Sequence, residues 1–150
     1  RSSDLWDLVL ATNTADLIRM AGPIDDLPAA FAAATVAVSA ATQPEGLQRA
    51  ILEAQSMARP VVVSDLGAGP DVVLAPPAVP EDRMTGLRFS AGDDSALAGA
   101  LVRLFSLPES VQRGIGERGR EWVVSQFGAQ AVVEPTLRLY ADIARSKKAA

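Results

Sequence analysis

The sequence predicts an α/β fold in which a Rossmann-like parallel sheet is flanked by helices and followed by a helical C-terminal segment. Apolar runs typical of strands alternate with runs of helical periodicity between residues 3 and 89. The run Arg59–Ser64 carries the strongest strand signal, because it contains three consecutive β-branched valines. Residues 95–144 then form successive helical patterns with no strand between them. This order implies right-handed βαβ crossovers, which make the strands parallel.

The first elements are predicted to be a helix, a short strand and a second helix. Residues Ser3–Ala11 have leucine and valine side chains at helical spacing. Residues Leu17–Ala21 have the composition of a short strand and are followed by a Gly-Pro break. Either Asp25 or Asp26 can cap a helix that runs through Leu27–Phe31.

The middle of the chain contains two further predicted strands around one crossover helix. Thr35–Ser39 is almost continuously apolar, as is typical of a parallel strand buried on both faces. The helix Glu45–Ala58 follows it and leads to the strand Arg59–Ser64, after which Gly67–Pro70 breaks the chain. The core-facing stripe of that helix is predicted to comprise Leu47, Ala50, Ile51, Ala54, Met57 and Ala58.

Helices dominate the last part of the chain. Residues 74–86 are too rich in proline for a central strand and form a loop, and Gly86–Phe89 is one further short strand. Three helices are then predicted over Ser95–Phe105, Glu109–Phe127 and Ala129–Ala144. The last has one apolar stripe, formed by Val133, Thr136, Leu137, Tyr140, Ile143 and Ala144.

Composition excludes several classes of function. The chain has 150 residues, of which 49% are hydrophobic, and this is enough for one globular domain. A net charge of −4 argues against a nucleic-acid surface. Without cysteine or histidine, the chain cannot form disulfides, the usual zinc sites or a Ser-His-Asp triad. No run is long enough to cross a bilayer and no signal-peptide pattern begins the chain, so we expect a cytoplasmic setting.

Two acidic residues, Glu45 and Glu53, stand eight residues apart across the predicted start of a helix. Eight helical residues correspond to about 12 Å of rise and about 80° of rotation. Acids so placed fit the two ends of an elongated polar ligand such as a nucleotide sugar. Two plainer explanations stay open: Glu53 pairs with Arg49 at the surface, and Glu45 complements the helix dipole.

Two loops are expected at the carboxyl ends of the strands, where open α/β sheets bind ligands. The loop Ala41–Gln48 precedes a helix whose free N–H groups and dipole favour a phosphate. The loop Ser64–Asp71 contains Gly67 and Gly69, which allow a positive φ or a close approach of backbone to a ligand, or simply make a turn.

The segments around these loops resemble retaining GT-B glycosyltransferases of the family-4 type, within the group 1 glycosyl transferases. The resemblance covers nearly the whole chain in order. It rests on Met20–Pro28, Phe31–Ala34, Val36–Ser39, Pro44–Gly46, Ile51–Val62, Ser64–Gly67 and Gly86–Asp93. It implies the C-terminal, donor-binding domain of a GT-B fold, which takes a nucleoside diphosphate sugar carrying UDP or GDP and transfers the sugar to a glycan or lipid-linked acceptor.

The resemblance also implies site residues. Glu45, as the catalytic-site acid, would contact hydroxyls of the donor sugar, and Glu53 would bind the ribose. The backbone amides of Gly46, Leu47 and Gln48 would meet the diphosphate, and no metal or other cofactor would be needed because the helix N-terminus stabilises the leaving group.

The remaining donor contacts implied by the resemblance lie in three loops. Pro23, Ile24 and Asp25 would contact the nucleobase through backbone groups. Thr42 and Gly67 belong to the two carboxyl-end loops and would lie beside the same donor.

Four positions depart from the family pattern, and they predict weakened or altered donor binding. Gln48 stands where the family usually has glycine, and Ala41 stands where it has serine or threonine. Ala68 replaces the second glycine of a Gly-Gly pair, and Asp71 replaces a glutamate.

The family's N-terminal domain, and the strand whose Arg and Lys clamp the diphosphate, have no counterpart in the sequence. We therefore expect a piece of a longer enzyme, without transferase activity of its own. Residues 1–127 would be an incomplete nucleotide-sugar-binding domain, and helix 128–150 would pack towards the missing domain or self-associate. The intact enzyme could lie peripherally at the inner face of the membrane. Alternatives are a nucleotide-binding or structural module without catalysis, or a GT-B-fold sugar-nucleotide epimerase.

Overall fold

A computed structural model describes residues 2–148 of the chain. The α/β fold with a parallel sheet and flanking helices is confirmed. In chain order the elements are α1 (Ser2–Ala11), α2 (Leu27–Ala33), β1 (Ala37–Ser39), α3 (Arg49–Ser56), β2 (Val61–Ser64), α4 (Gly69–Val72), β3 (Leu87–Phe89), α5 (Asp94–Ser106), α6 (Glu109–Phe127) and α7 (Ala129–Lys148). A single 3₁₀ turn, Glu81–Arg83, lies between α4 and β3.

The three strands pair in the order β1-β2-β3, and both pairs are parallel. Strand β2 is central and fully buried, as its three valines predict. Because successive side chains of a strand point to opposite faces, the valines divide between two cores. One core contains Ile51, Ala54, Val61, Val63, Val72 and Val73, and the other contains Val62, Met84, Leu87, Phe89, Leu104 and Ile115.

The predicted strand Leu17–Ala21 is wrong, because these residues form turns and irregular backbone. Leu17 is 78% exposed and Met20 is 53% exposed, so apolar character alone did not bring this segment into the sheet. In the described part of the chain β1 therefore pairs only with β2 and is an edge strand. The expectation that this strand is buried on both faces is also wrong, since Val38 is 44% exposed.

The crossover helix α3 is shorter than predicted. It begins at Arg49 instead of Glu45 and ends at Ser56, followed by Ala58 with a left-handed φ of 54°. Its buried residues are Ile51, Ala54 and Gln55, whereas Leu47 of the predicted stripe is exposed. The predicted break at Gly67–Pro70 is in part the short helix α4. Pro70 fits in its first turn because an N–H group there would have no acceptor within the helix.

The last three helices confirm their predictions, and α6 has the predicted bounds. Helix α6 packs against α3, and Gly116 allows this contact because a Cβ there would lie 2.1 Å from the carbonyl oxygen of Ala58. Residues 132–146 of α7 are all exposed, including the predicted apolar stripe. None of the helices described is long and apolar enough to cross a membrane.

Candidate functional site

The loops after β1 and β2 meet at the carboxyl edge of the sheet, where α3 begins. Gly67 has a left-handed φ of 56°, and a Cβ at this residue would lie 2.4 Å from the carbonyl oxygen of Glu45 and 3.0 Å from its nitrogen. Only glycine combines that φ with so close an approach. The backbone of Glu45 therefore packs directly against the second loop.

A pocket of about 380 Å³ lies between α2 and α3 and brings together two of the predicted site residues, Asp25 and Glu53. Its other lining residues are mostly apolar and comprise Leu27, Pro28, Phe31, Ser56 and Met57. The pocket thus has a mostly apolar wall with one acidic residue on each side, an arrangement suited to a ligand that has hydroxyl or N–H donors on a flat body.

Local contacts fix the two helices that line this pocket. Asp26 caps α2 by accepting a hydrogen bond of 2.9 Å from the nitrogen of Ala29. Arg59 joins the C-terminal ends of both helices, since it donates to the carbonyl of Met57 at 3.1 Å and to the carbonyl of Ala34 at 3.3 Å. Nothing in the local sequence singles out Arg59, because its role depends on a contact between residues distant in the chain.

Glu53 forms the surface ion pair that was left open as its plainer explanation. Its Oε1 lies 3.5 Å from Nη2 of Arg49, and the two side chains are 41% and 84% exposed. An exposed pair of this kind contributes only about 0.3–0.5 kcal/mol to stability. The ion pair and a role in ligand binding are therefore compatible, because a ligand can replace Arg49 at little cost.

The residue immediately before α3 is Gln48, and its side chain is buried. It makes no capping hydrogen bond to the helix. Gly46 and Leu47 lie exposed in the preceding loop, just before the helix N-terminus. A Cβ at Gly46 would meet nothing within 4 Å, and this glycine is therefore not required by the packing of the chain.

The other predicted residues lie outside the pocket. Pro23 and Ile24 are exposed in the segment before α2 and do not line it. Thr42 lines a separate cavity of about 230 Å³, on the side of α5, together with Phe89 and Asp93. The structure thus brings Asp25 and Glu53 together and joins Glu45 to Gly67, but it does not gather all the predicted residues in one cavity.

Five residues of the pocket wall were not predicted as site residues: Leu27, Pro28, Phe31, Ser56 and Met57. Ser56 and Met57 follow Glu53 at the end of α3, and Phe31 lies one turn after Leu27 in α2. Helical spacing from Glu53 could have indicated Ser56, which stands at i+3. Phe31 and Met57 carry the ordinary signal of core residues, and only the packing of α2 beside α3 reveals them.

Comparison with known proteins gives a family match over most of the chain. The family model described as glycosyl transferases group 1 matches residues 3–107. The lipopolysaccharide core biosynthesis glycosyltransferase LpsE of Rhizobium meliloti (strain 1021) is 32% identical over 125 residues, which are 83% of this chain and 34% of LpsE. The chain spans 26% of the length of one curated relative and 34% of another.

Solved structures have the same fold. A sucrose-phosphate synthase from Thermosynechococcus elongatus is 30% identical with a TM-score of 0.80, over 95% of this chain and 34% of the synthase. HepE of Anabaena, solved in complex with UDP-glucose, is 17% identical with a TM-score of 0.76, over 99% of this chain and 37% of HepE. These likenesses confirm the predicted fold class.

Proposed function

The chain belongs to the glycosyl transferases group 1 family, and on this premise we propose that it is the donor-binding part of a retaining GT-B glycosyltransferase of the family-4 type. The donor is a nucleoside diphosphate sugar, and the acceptor is a glycan or a lipid-linked acceptor. The observation that carries the proposal is the pocket that Asp25 and Glu53 share between α2 and α3. The solved complex of HepE with UDP-glucose supports a donor of this class.

In the proposed complex the nucleoside occupies that pocket. The carboxylate of Glu53 accepts hydrogen bonds from the ribose hydroxyls, and Arg49 moves aside into solvent. The base lies against the apolar wall and meets the segment Pro23–Asp25. A carboxylate is a suitable partner for a diol because it has two acceptor oxygens and no donor to leave unpaired.

The diphosphate lies at the N-terminus of α3. Gln48 and Glu53 are separated by about 7.5 Å along the helix axis, which suits the distance between a diphosphate and its ribose. The free N–H groups and the helix dipole favour the negative charge. Gly46 supports this placement, because the packing of the chain does not explain why a glycine stands there.

The sugar would extend from the diphosphate towards Glu45, whose carboxylate orients it through its hydroxyls. During transfer the bond between the anomeric carbon and the diphosphate oxygen breaks. The acceptor hydroxyl attacks the face that the diphosphate leaves and gives its proton to an oxygen of the departing diphosphate. The electron pair remains on the departing diphosphate, where the helix amides stabilise it. We propose that no metal ion takes part, and addition of a chelator to the intact enzyme tests this by leaving its activity unchanged.

Binding of UDP and GDP to the chain, measured by calorimetry, tests the donor function. We expect one of them to bind, and we expect Glu53→Gln to weaken that binding about tenfold or more, because it removes a charged hydrogen-bond partner. Glu134→Gln is the matched control, since Glu134 forms a similar exposed pair with Arg138 at 3.2 Å on α7. Absence of binding by the parent chain would reject the donor function. An equal effect of the two variants would reject the role of Glu53.

Transfer itself requires the acceptor side of the enzyme, so we propose that the 150 residues alone transfer no sugar. In the intact enzyme the exposed stripe of α7 would pack against the acceptor-binding domain, and in the isolated chain it would drive self-association. We place the reaction in the cytoplasm or at the inner face of the membrane. A chromatographic measurement of mass against concentration tests self-association, with Leu137→Lys expected to give a monomer.

A further inference from the structure

Unpaired polar groups are concentrated at the carboxyl edge of the sheet. Five buried side-chain nitrogen and oxygen atoms form no hydrogen bond with the described residues. They are Gln48 Nε2, Gln48 Oε1, Gln55 Oε1, Ser64 Oγ and Trp122 Nε1. Three of the five belong to Gln48, before α3, and to Ser64, at the end of β2. Native proteins pair the great majority of such atoms, so this edge calls for an explanation.

Gln48 is the stronger case, because its whole carboxamide is unpaired. The residue is 6% exposed and occupies the N-cap of an eight-residue helix, yet its side chain does not cap that helix. Glutamine is also not among the residues that N-cap positions favour. An apolar side chain of the same length would fill this space without leaving a donor and an acceptor unsatisfied. Folding alone therefore does not explain the carboxamide.

We propose that the Gln48 carboxamide is a phosphate-binding group of the donor site, in addition to the backbone amides before it. Its Nε2–H donates to a phosphate oxygen at the N-terminus of α3, and side-chain rotation carries it from its buried position to that oxygen. The inference rests on the proposed donor function and names a further contact within it. A neutral donor suits this place, since it binds an anionic oxygen without forming an ion pair with Glu45 or Glu53.

The proposed contact is with the diphosphate and not with the nucleoside, so the binding of nucleotide and nucleoside is measured separately. The chain and its Gln48→Met variant are titrated with UDP and with uridine, or with GDP and guanosine if GDP binds more tightly. In the variant we expect diphosphate affinity to fall about tenfold, as for loss of a hydrogen bond to a charged group. Nucleoside affinity should remain unchanged. The melting temperature should stay equal or rise, because an unpaired buried carboxamide has been removed.

Gln55→Met is the matched control, because Gln55 lies on the same helix, is fully buried and also has an unpaired oxygen. It faces Thr85, to which its Nε2 is hydrogen-bonded at 3.3 Å, and we expect it to leave the ratio of diphosphate to nucleoside affinity unchanged. Gln48→Glu keeps the size of the side chain and should lower the affinity for the diphosphate more than Gln48→Met does. The added loss comes from charge repulsion, which salt reduces.

The outcomes distinguish the two proposals. If the parent chain binds neither nucleotide, the donor function fails and this inference fails with it. If the parent binds and the affinity ratio is the same in Gln48→Met, the donor function stands and the role of Gln48 is refuted. An equal loss of diphosphate and nucleoside affinity together with a lower melting temperature would make Gln48 a structural residue and would also refute it. Gln48→Leu gives the same decision if the methionine variant does not fold.

Discussion

The contact between Gly67 and the backbone of Glu45 makes a sharp prediction for Gly67→Ala. The added methyl group would lie 2.4 Å from the carbonyl oxygen of Glu45, and the residue would have to keep a φ of 56°. Backbone atoms cannot turn aside as the end of a flexible side chain can. The loop that holds Glu45 must therefore move away from the loop after β2.

Three contributions set the size of the effect. The left-handed conformation of an alanine destabilises the folded state by about 1–2 kcal/mol. The lower conformational freedom of alanine in the unfolded chain stabilises the folded state by about 0.4–1 kcal/mol. Overpacking adds about 1–3 kcal/mol. We expect Gly67→Ala to lower the free energy of unfolding by about 2–4 kcal/mol in total.

Urea unfolding followed by circular dichroism measures this change, and Gly92→Ala is the matched control. Gly92 has a φ of 76°, but a Cβ there would meet nothing within 4 Å. The control should therefore lose only about 1 kcal/mol from backbone strain. If Gly67→Ala loses no more than Gly92→Ala, the two loops are not in the contact described and Glu45 is not held by Gly67.

Three further substitutions test other parts of the structure. Gly46→Ala should leave the free energy of unfolding within about 0.5 kcal/mol of the parent but weaken the binding of UDP or GDP. Loss of stability without loss of binding would contradict the proposed diphosphate site. Ala58→Gly should raise the free energy of unfolding by about 0.5–1 kcal/mol, because it relieves a left-handed alanine, and no gain in urea unfolding would contradict this. Thr85→Val should lower the free energy of unfolding by about 2–4 kcal/mol, because the amide of Leu74 and Nε2 of Gln55 lose their buried acceptor. Thermal unfolding would reveal the loss.

The sequence predicted those elements whose signal is local. Strand β2 contains three consecutive β-branched valines, and α6 lies between a proline and a glycine, so both were predicted at or near their true bounds. Leu17–Ala21 has a similar apolar pattern but forms no strand, because a strand needs a neighbour to pair with and pattern alone does not supply one. The start of α3 was also misplaced, since the helix begins only at Arg49 and Glu45 lies in a loop that packs against Gly67, a residue distant in the chain.

The same distinction explains what could be predicted of the candidate site. The spacing of Glu45 and Glu53 suggested two acids on one helix, but Glu45 stands before that helix and is fixed by a loop from another strand. Glu53 lies on α3, beside α2 and the cap of Asp26. The two acids therefore depend on different contacts, and the distance between them is set by the packing of two loops and not by helical rise. A change in either loop can move Glu45 while Glu53 and its pocket stay in place. We infer that the positions of Glu45 and Glu53 can vary independently, because no rigid helix joins the two residues.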